Sequence, residues 1–419
     1  MESLRFLSSS DAATVRDRFG TPTFVYDAPT LMQQARQALA FPSAFGLTVR
    51  FAMKASPNAT LLKLFRELGL HIDASSGYEV ERAIRAGFAP DQISLSSQEL
   101  PADIGKLLDR GVKVNACSLN QLTAIARQRP GVAIGLRFNP GKGSGGNDKT
   151  NVGGPSSSFG IWHASADRAR RIAADADLTV ERIHTHIGSG SDPAVWQEVA
   201  NLSLGLFGQF PDATTLNLGG GYKVGRMSSE GSTDLQAIGG PVADVFRAFA
   251  ERTDRQPHLE IEPGTYLVAN AASLVATVAD VVDTGPDGHT FYKLDTGMTE
   301  VLRPSLYGSQ HPVVVLPANP TGETRPAVVV GHCCESGDLI TPLPNEPDAL
   351  GPRTLPVAQP GDLAVVEGVG AYCSAMSAKN YNSFPEAAEV LRCGPGILHL
   401  IRKRQTLDQI LANEVDPAE

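Results

Sequence analysis

Side chains able to do chemistry recur just after short β-branched runs of the chain. Lys54 follows such a run in FAMKASPN (51–58), and Asp73 closes LHID with Ser75 and Ser76 beyond it. Asn115 ends VKVN, and Arg137 and Asn139 lie at the end of VAIGLRF. His186 and Ser189 lie in HTHIGSGSD (184–192), Gly219, Gly220 and Gly221 follow TTLNL, and Glu262 sits in EIEPG (260–264). An amine at the mouth of an apolar strand can be desolvated, lose its proton and condense with an aldehyde. Three glycines let backbone N–H groups approach an anion such as a phosphate. A carboxylate at the end of an apolar strand needs a partner, and a protonated heterocyclic nitrogen would serve. An imidazole flanked by Gly188 and Gly190 is open enough to stack on a planar ring. Amine, phosphate cradle and carboxylate together are what pyridoxal phosphate requires. A sugar-phosphate enzyme working through a lysine also fits the amine and the cradle, and these residues alone leave both open.

Strands must alternate with helices for these residues to converge. The strand candidates are Thr48–Met53, Leu70–Asp73, Gln92–Leu95, Val112–Asn115, Val132–Phe138, Arg182–His186, Thr214–Leu218 and His258–Glu262. Amphipathic stretches such as Ala59–Leu68, Tyr78–Ala86 and Ala164–Ala174 lie between them. Eight strand–helix repeats predict an α/β fold, a closed (β/α)8 TIM-like barrel in preference to an open doubly wound sheet, with chemistry at the C-terminal ends of the strands. Beyond about residue 270 the texture changes to Ala272–Val282, Phe291–Leu294, Pro312–Leu316, Ala327–Val330 and Leu363–Glu367, joined by Pro/Gly/Asn-rich links. This part reads as a mostly antiparallel β-domain, and the early strand Thr23–Tyr26 could join either domain. The expected division is an N-terminal segment 1–30 joining the β-domain, a barrel over 31–270 and the β-domain over 271–419. Residues 141–158, GKGSGGNDKTNVGGPSSS, read as either a surface loop or an active-site lid, and lack the Gly-Lys-Ser/Thr of a Walker loop.

Composition narrows the classes. The 419 residues are 42% hydrophobic and 19% charged, as in a globular protein, and long enough for one large barrel or two domains. The net charge of −9 argues against a nucleic-acid or membrane-surface partner, both of which favour a basic face. No apolar run approaches the roughly 20 residues of a membrane span, and the N-terminal stretch lacks the apolar core of a secretory signal. Five cysteines are too few for a disulfide framework and predict a reduced, cytoplasmic setting. No metal site is expected. Gly and Pro, 41 and 29 residues, make about one position in six and call for many tight turns.

The ordered motifs FAMKASPN, HTHIGSGSD, LNLGGGY, EIEPG, RPSLYGSQHP (303–312), GHCCESGD (331–338) and GAYCSAMSAKNYNSF (370–384) resemble the barrel-type (fold type III) pyridoxal-phosphate-dependent decarboxylases, from about Thr21 to Phe384. Within that family they are most similar to the branch acting on meso-2,6-diaminopimelate. The resemblance implies a carboxy-lyase that forms L-lysine and CO2, the last step of lysine biosynthesis, with pyridoxal 5'-phosphate as cofactor. It implies that Lys54 carries the cofactor covalently, that Glu262 pairs with the pyridine nitrogen, and that His186 stacks on the ring. Ser189, Gly219, Gly220, Gly221, Gly264 and Tyr372 would surround the phosphate, with Asp73 also at the cofactor. Cys334 would protonate the product, and Glu335 would meet the distal amine of the substrate. Arg303 and Tyr307, with Tyr372 nearby, would hold the substrate's distal carboxylate. Cys334 and Glu335 would come from the second subunit of a head-to-tail homodimer.

Two positions depart from the family pattern. Thr265 follows EPG where an arginine is usual, and Ser158-Phe159-Gly160 stands for Lys-Phe-Gly. Arg137, Lys149 and Lys223 are the candidate compensating cations. The departures keep a sister decarboxylase of ornithine, lysine or a carboxylated polyamine such as carboxynorspermidine as the alternative. A single-domain, non-catalytic cofactor binder is disfavoured by the C-terminal domain and by Cys334.

Overall fold

A computed structural model describes residues 1–143, 153–186 and 188–416. The chain divides into two compact units, one formed by Met1–Leu31, Gly225–Glu230 and Val268–Glu419, the other by Met32–Val224 and Gly231–Leu267. The first strand, β1 (Thr23–Asp27), belongs to the former.

The second unit is a closed parallel barrel. Its strands are β2 (Leu47–Ala52), β3 (His71–Ala74), β4 (Ile93–Leu95), β5 (Lys113–Ala116), β6 (Ala133–Asn139), the two-residue β7 (Ile161–Trp162), β8 (Thr179–Thr185), β9 (Thr215–Asn217) and β10 (His258–Ile261). Hydrogen bonding runs β5-β4-β3-β2-β10-β9-β8-β6, and β5 pairs with β6 to close the ring, while β7 extends β6 from outside it. Alternation along each strand sends one set of residues out to the helices and the other into the lumen. On β2, Val49 and Phe51 point outward, Phe51 meeting Phe65 at a ring distance of 4.7 Å, while Arg50 points inward. Burying a ring such as Phe65 stabilises the wall by about 1.5–3 kcal/mol. Helices begin directly above the strands because the loops supply their caps. Asn58 accepts from Thr60 N for Ala59–Glu67, and Ser76 accepts from Glu79 N for Gly77–Arg85.

The lumen carries a polar layer beneath the strand ends. Glu260 on β10 meets Arg50 at 2.7 Å and Arg182 of β8 at 3.1 Å, all three side chains almost fully buried. Burial pushes the Glu260 carboxyl up, but the two guanidinium groups outweigh it and pull it down to about 2. Asn115 of β5 donates to Ser94 and Ser96 in the same interior.

The other unit is a β-domain. Its strands continue as β11 (Ala272–Asp283), β12 (Thr290–Leu294), β13 (Val313–Leu316), β14 (Thr324–Val330), β15 (Pro342–Leu343), β16 (Glu346–Leu350), β17 (Arg353–Pro356), β18 (Leu363–Glu367), β19 (Ala388–Gly394) and β20 (Ile397–Arg402). β1 lies between β11, antiparallel, and β19, parallel, so the N-terminal strand completes this sheet. Pairing is mostly antiparallel, with β1–β19 and β12–β14 as the parallel exceptions. Val25, Val275, Val365 and Val390 pack with Leu7 and Val15 from the N-terminal segment. Five strands expected as linkers or left unread, β15, β16, β17, β19 and β20, extend the expectation. Pro and Glu in NEPDALGPR mask β16 and β17, because edge positions tolerate both.

Candidate active site

The C-terminal ends of the barrel strands bring together side chains from distant parts of the sequence. Lys54 lies on the one-turn 3-10 segment Met53–Ala55 that follows β2, its amine 3.8 Å from Asp73 Oδ2 at the end of β3. The lysine side chain is 45% exposed and the aspartate 2%, so the amine reaches from the wall toward solvent while its partner is enclosed. Burial, reinforced by the Glu262 charge, raises the Asp73 carboxyl well above the ordinary range. Its Oδ1 is buried without a hydrogen-bond partner.

Glu262 follows β10. Asn217 of β9 donates to its Oε1 at 2.6 Å, and His184 Nε2 stands 3.3 Å from its Oε2. Burial would raise this carboxyl, yet His184, Lys54 and His186 together lower it, so it stays ionised in a water-poor setting. Burial also holds His184 below its ordinary value, and His186 further below, aided there by Arg137 and Lys54. His186 therefore presents a neutral ring, and its buried Nδ1 has no hydrogen-bond partner.

Gly219 and Gly221 adopt φ of +72° and +107°, which a residue with a Cβ resists. A Cβ on Gly219 would meet the His186 ring, one on Gly220 the Glu262 carbonyl, and one on Gly221 the Gly188 carbonyl. Gly190 N donates to Gly221 O at 2.9 Å, which sets the Ser189 turn beside the glycine run. Gly264 packs on Ala52 and Ala55, and Ala52 N donates to Pro263 O, so the EPG turn and the lysine turn support each other. The result is a glycine run, an amine, a neutral imidazole and an ionised buried carboxylate gathered at the C-terminal ends of the barrel strands. The orphaned polar atoms of Asp73 and His186, beside the Lys54 amine and the Glu262 carboxylate, fit a phosphorylated pyridine cofactor.

Comparison with known proteins decides the family. The family described as pyridoxal-dependent decarboxylase, pyridoxal binding domain, matches residues 31–269. The chain is 35% identical to the diaminopimelate decarboxylase of Escherichia coli strain K12, covering 98% of this chain and 97% of that one. The chain belongs to the pyridoxal-dependent decarboxylases. Another relative is the diaminopimelate decarboxylase of Streptomyces coelicolor, 34% identical over 95% of this chain and 90% of its own. A solved diaminopimelate decarboxylase superposes with a TM-score of 0.89 at 34% identity, covering 97% and 96% of the two chains. The Helicobacter pylori diaminopimelate decarboxylase complexed with L-lysine gives a TM-score of 0.82 at 26% identity, covering 96% and 98%. Pyridoxal phosphate is thus the cofactor of this decarboxylase, and the barrel is the part that matches its binding domain.

The remaining expected site residues of the decarboxylase lie in the β-domain unit. Arg303 opens the short helix Arg303–Tyr307, with its guanidinium 5.5 Å from the Tyr307 ring and 6.0 Å from that of Tyr372. Tyr372 holds a left-handed φ of +55°, an uncommon and costly conformation for its type. Cys334 is exposed, its backbone N–H donating to Asn382 Oδ1 at 2.8 Å. The Glu335 carboxylate accepts from Gly337 N at 3.1 Å, and the buried Asp338 fixes the same loop by accepting from Met298 N and Cys333 N.

Of the candidate compensating cations, Arg137 is buried with its guanidinium 5.1 Å over the Phe159 ring of Ser158-Phe159-Gly160, Lys223 is exposed, and Lys149 lies outside the described residues. Most of the possible lid, 144–152, lies outside them as well. Its flanks are tied to Asn139, whose side chain bonds Gly141 N, Gly154 N and Gly154 O. Sequence reasoning missed Asn217 and His184, the two groups that touch Glu262. The spacing of two within HTH and within NLG carries the signal, since residues two apart on a strand share the lumen face. Among the described residues, no helix is long and apolar enough to cross a membrane.

Proposed function

We propose that this decarboxylase removes CO2 from the D-configured centre of meso-2,6-diaminopimelate and releases L-lysine. The observation that carries the reaction type is Glu262, a buried carboxylate held ionised by Asn217 and His184 at the same strand ends as Lys54. The bound cofactor supplies an electron sink for the charge left when CO2 departs. Glu262 would pair with the ring nitrogen and favour a proton there, which keeps that sink strong. His186, neutral and beside the glycine run, would pack against the cofactor ring. Lys54 would carry the cofactor, and its amine stands 3.8 Å from Asp73. Arg303 and Tyr307 grip the distal carboxylate, a group that ornithine and the diamines lack. Cys334, delivered by a second copy of the chain in a homodimer, donates a proton to the reacting carbon, and Glu335 meets the distal ammonium.

Carbon dioxide release from meso-diaminopimelate, ornithine and lysine, measured side by side on the holoenzyme, tests this. Preference for meso-diaminopimelate by about a hundredfold or more in kcat/KM is expected. Robust turnover of ornithine or lysine with none of diaminopimelate overturns the substrate assignment and favours the sister activity that Thr265 and Ser158 keep in play.

A further inference from the structure

Arg226 lies in the chain segment Gly225–Glu230 that packs within the β-domain unit. It is 8% exposed, and its Nε donates to Gly368 O at 3.0 Å. Its Nη2 is buried with no hydrogen-bond partner, and among the described residues the guanidinium forms no ion pair. Glu230, four residues on, accepts from the Arg226 and Met227 backbone N–H groups instead. Two further buried nitrogens lack a partner, one of them an acceptor. His311, fully buried, bonds Glu367 O through Nδ1 and leaves Nε2 without a partner, and Arg303 Nε is likewise buried and unbonded. Burial, followed by the neighbouring Arg303 charge, brings the Arg226 guanidinium down to about 9. Arg226 and Arg303 also act together on His311, and on Cys373, the residue after Tyr372.

Two like charges that act on each other, the buried Arg226 and the half-buried Arg303, with no carboxylate of the described residues on either guanidinium, are costly unless an anion completes them. The protein holds 45 Asp and Glu, so lack of acidic residues does not explain the vacancy. We infer that Arg226 is a specificity-determining residue that joins Arg303 in binding the distal α-carboxylate of the amino-acid substrate. A planar fork beside a second guanidinium suits a carboxylate held by more than one N–H group. This role rests on the proposed decarboxylation of a substrate with a second carboxylate. It also supplies an anion-binding cation in a chain that carries Thr265 after EPG.

L-Lysine keeps the distal carboxylate and cadaverine lacks it, so the two separate binding of that group from everything else. The experiment measures inhibition of meso-diaminopimelate decarboxylation by each compound in wild-type holoenzyme, Arg226→Gln and Arg226→Lys. In Arg226→Gln the L-lysine constant and the KM should rise about ten- to a hundredfold, the loss expected for one charge-assisted contact. The cadaverine constant should stay within twofold and kcat within about fivefold. Arg226→Lys, which keeps the charge without the fork, should lie between the two. If Arg226→Gln does not fold, Arg226→Lys alone decides, with an L-lysine constant raised at least threefold against unchanged cadaverine. Equal weakening of both inhibitors, or of neither, overturns the role of Arg226. Wild-type enzyme that ignores diaminopimelate altogether instead removes the functional reading on which the role rests.

Discussion

Replacing Glu260 by Gln tests the buried charge layer under the active site. The substitution preserves volume but leaves Arg50 and Arg182, at 2.7 and 3.1 Å, without their counter-charge in an interior closed to water. Removing one partner from such a cluster costs about 3–5 kcal/mol, because the remaining charges stay buried and uncompensated. A second route gives a similar magnitude. The Glu260 carboxyl falls from 4.5 to about 2 on folding, and at about 1.4 kcal/mol for each pH unit this corresponds to roughly 3 kcal/mol. A depressed carboxylate stabilises the fold above its unfolded value and loses that contribution as pH falls through its folded value. Wild-type protein should therefore lose this stability between about pH 4.5 and pH 2, and Glu260→Gln should lack that part of the acid dependence. Both tryptophans, Trp162 and Trp196, lie in the barrel unit, so their fluorescence during urea unfolding reports that unit without interference from the other. A loss below about 1 kcal/mol at pH 7, or an acid profile equal to that of wild type, refutes the reasoning.

Lys54→Ala should abolish CO2 release and leave no cofactor attached after borohydride reduction; retained covalent cofactor would remove Lys54 from its role. Glu262→Gln should lower kcat by about a hundredfold or more while the protein still binds cofactor, because a neutral side chain no longer favours a proton on the ring nitrogen; kcat within tenfold of wild type counts against that pairing. Gly220→Ala places a Cβ against the Glu262 carbonyl and should weaken cofactor binding at least tenfold by fluorescence titration, with unaltered affinity arguing for a cradle elsewhere. Mixing inactive Lys54→Ala with inactive Cys334→Ala subunits should restore up to about a quarter of wild-type activity if sites are shared in a homodimer, and proven subunit exchange without recovery excludes sharing.

The barrel was legible because its strands are short β-branched runs followed by helices, several of them with their own caps. Thr48–Met53 and Ala59–Leu68 correspond to β2 and Ala59–Glu67 within a residue or so at their ends. The β-domain was legible only in part, since β16 and β17 carry Pro and Glu and β20 alternates weakly. Glu262 stood out as a carboxylate ending an apolar strand. What surrounds it did not, because Asn217, His184 and Glu260 lie on three strands whose adjacency comes from closure of the ring. A polar residue facing a lumen has the same local pattern as one facing water, so only cross-strand pairing separates the two.

The buried arginines show how far that distinction reaches. Among the described residues five arginines are buried: Arg50, Arg137, Arg182, Arg226 and Arg392. Arg50 and Arg182 share Glu260, and Arg392 meets Asp27 at 2.7 Å, so these three complete ion pairs within the chain. Arg137 and Arg226 complete none. Desolvating a guanidinium without a counter-ion works against folding, and a chain of net charge −9 has carboxylates to spare. A cation that is buried and yet left unpaired is therefore shaped for an anion that arrives after folding. Of these two, Arg137 lies over the Phe159 ring, and Arg226 is the one for which the proposed substrate carboxylate supplies the missing charge. Their sequence contexts, GLRFN and KVGRM, resemble those of paired arginines, and only the missing partner marks them.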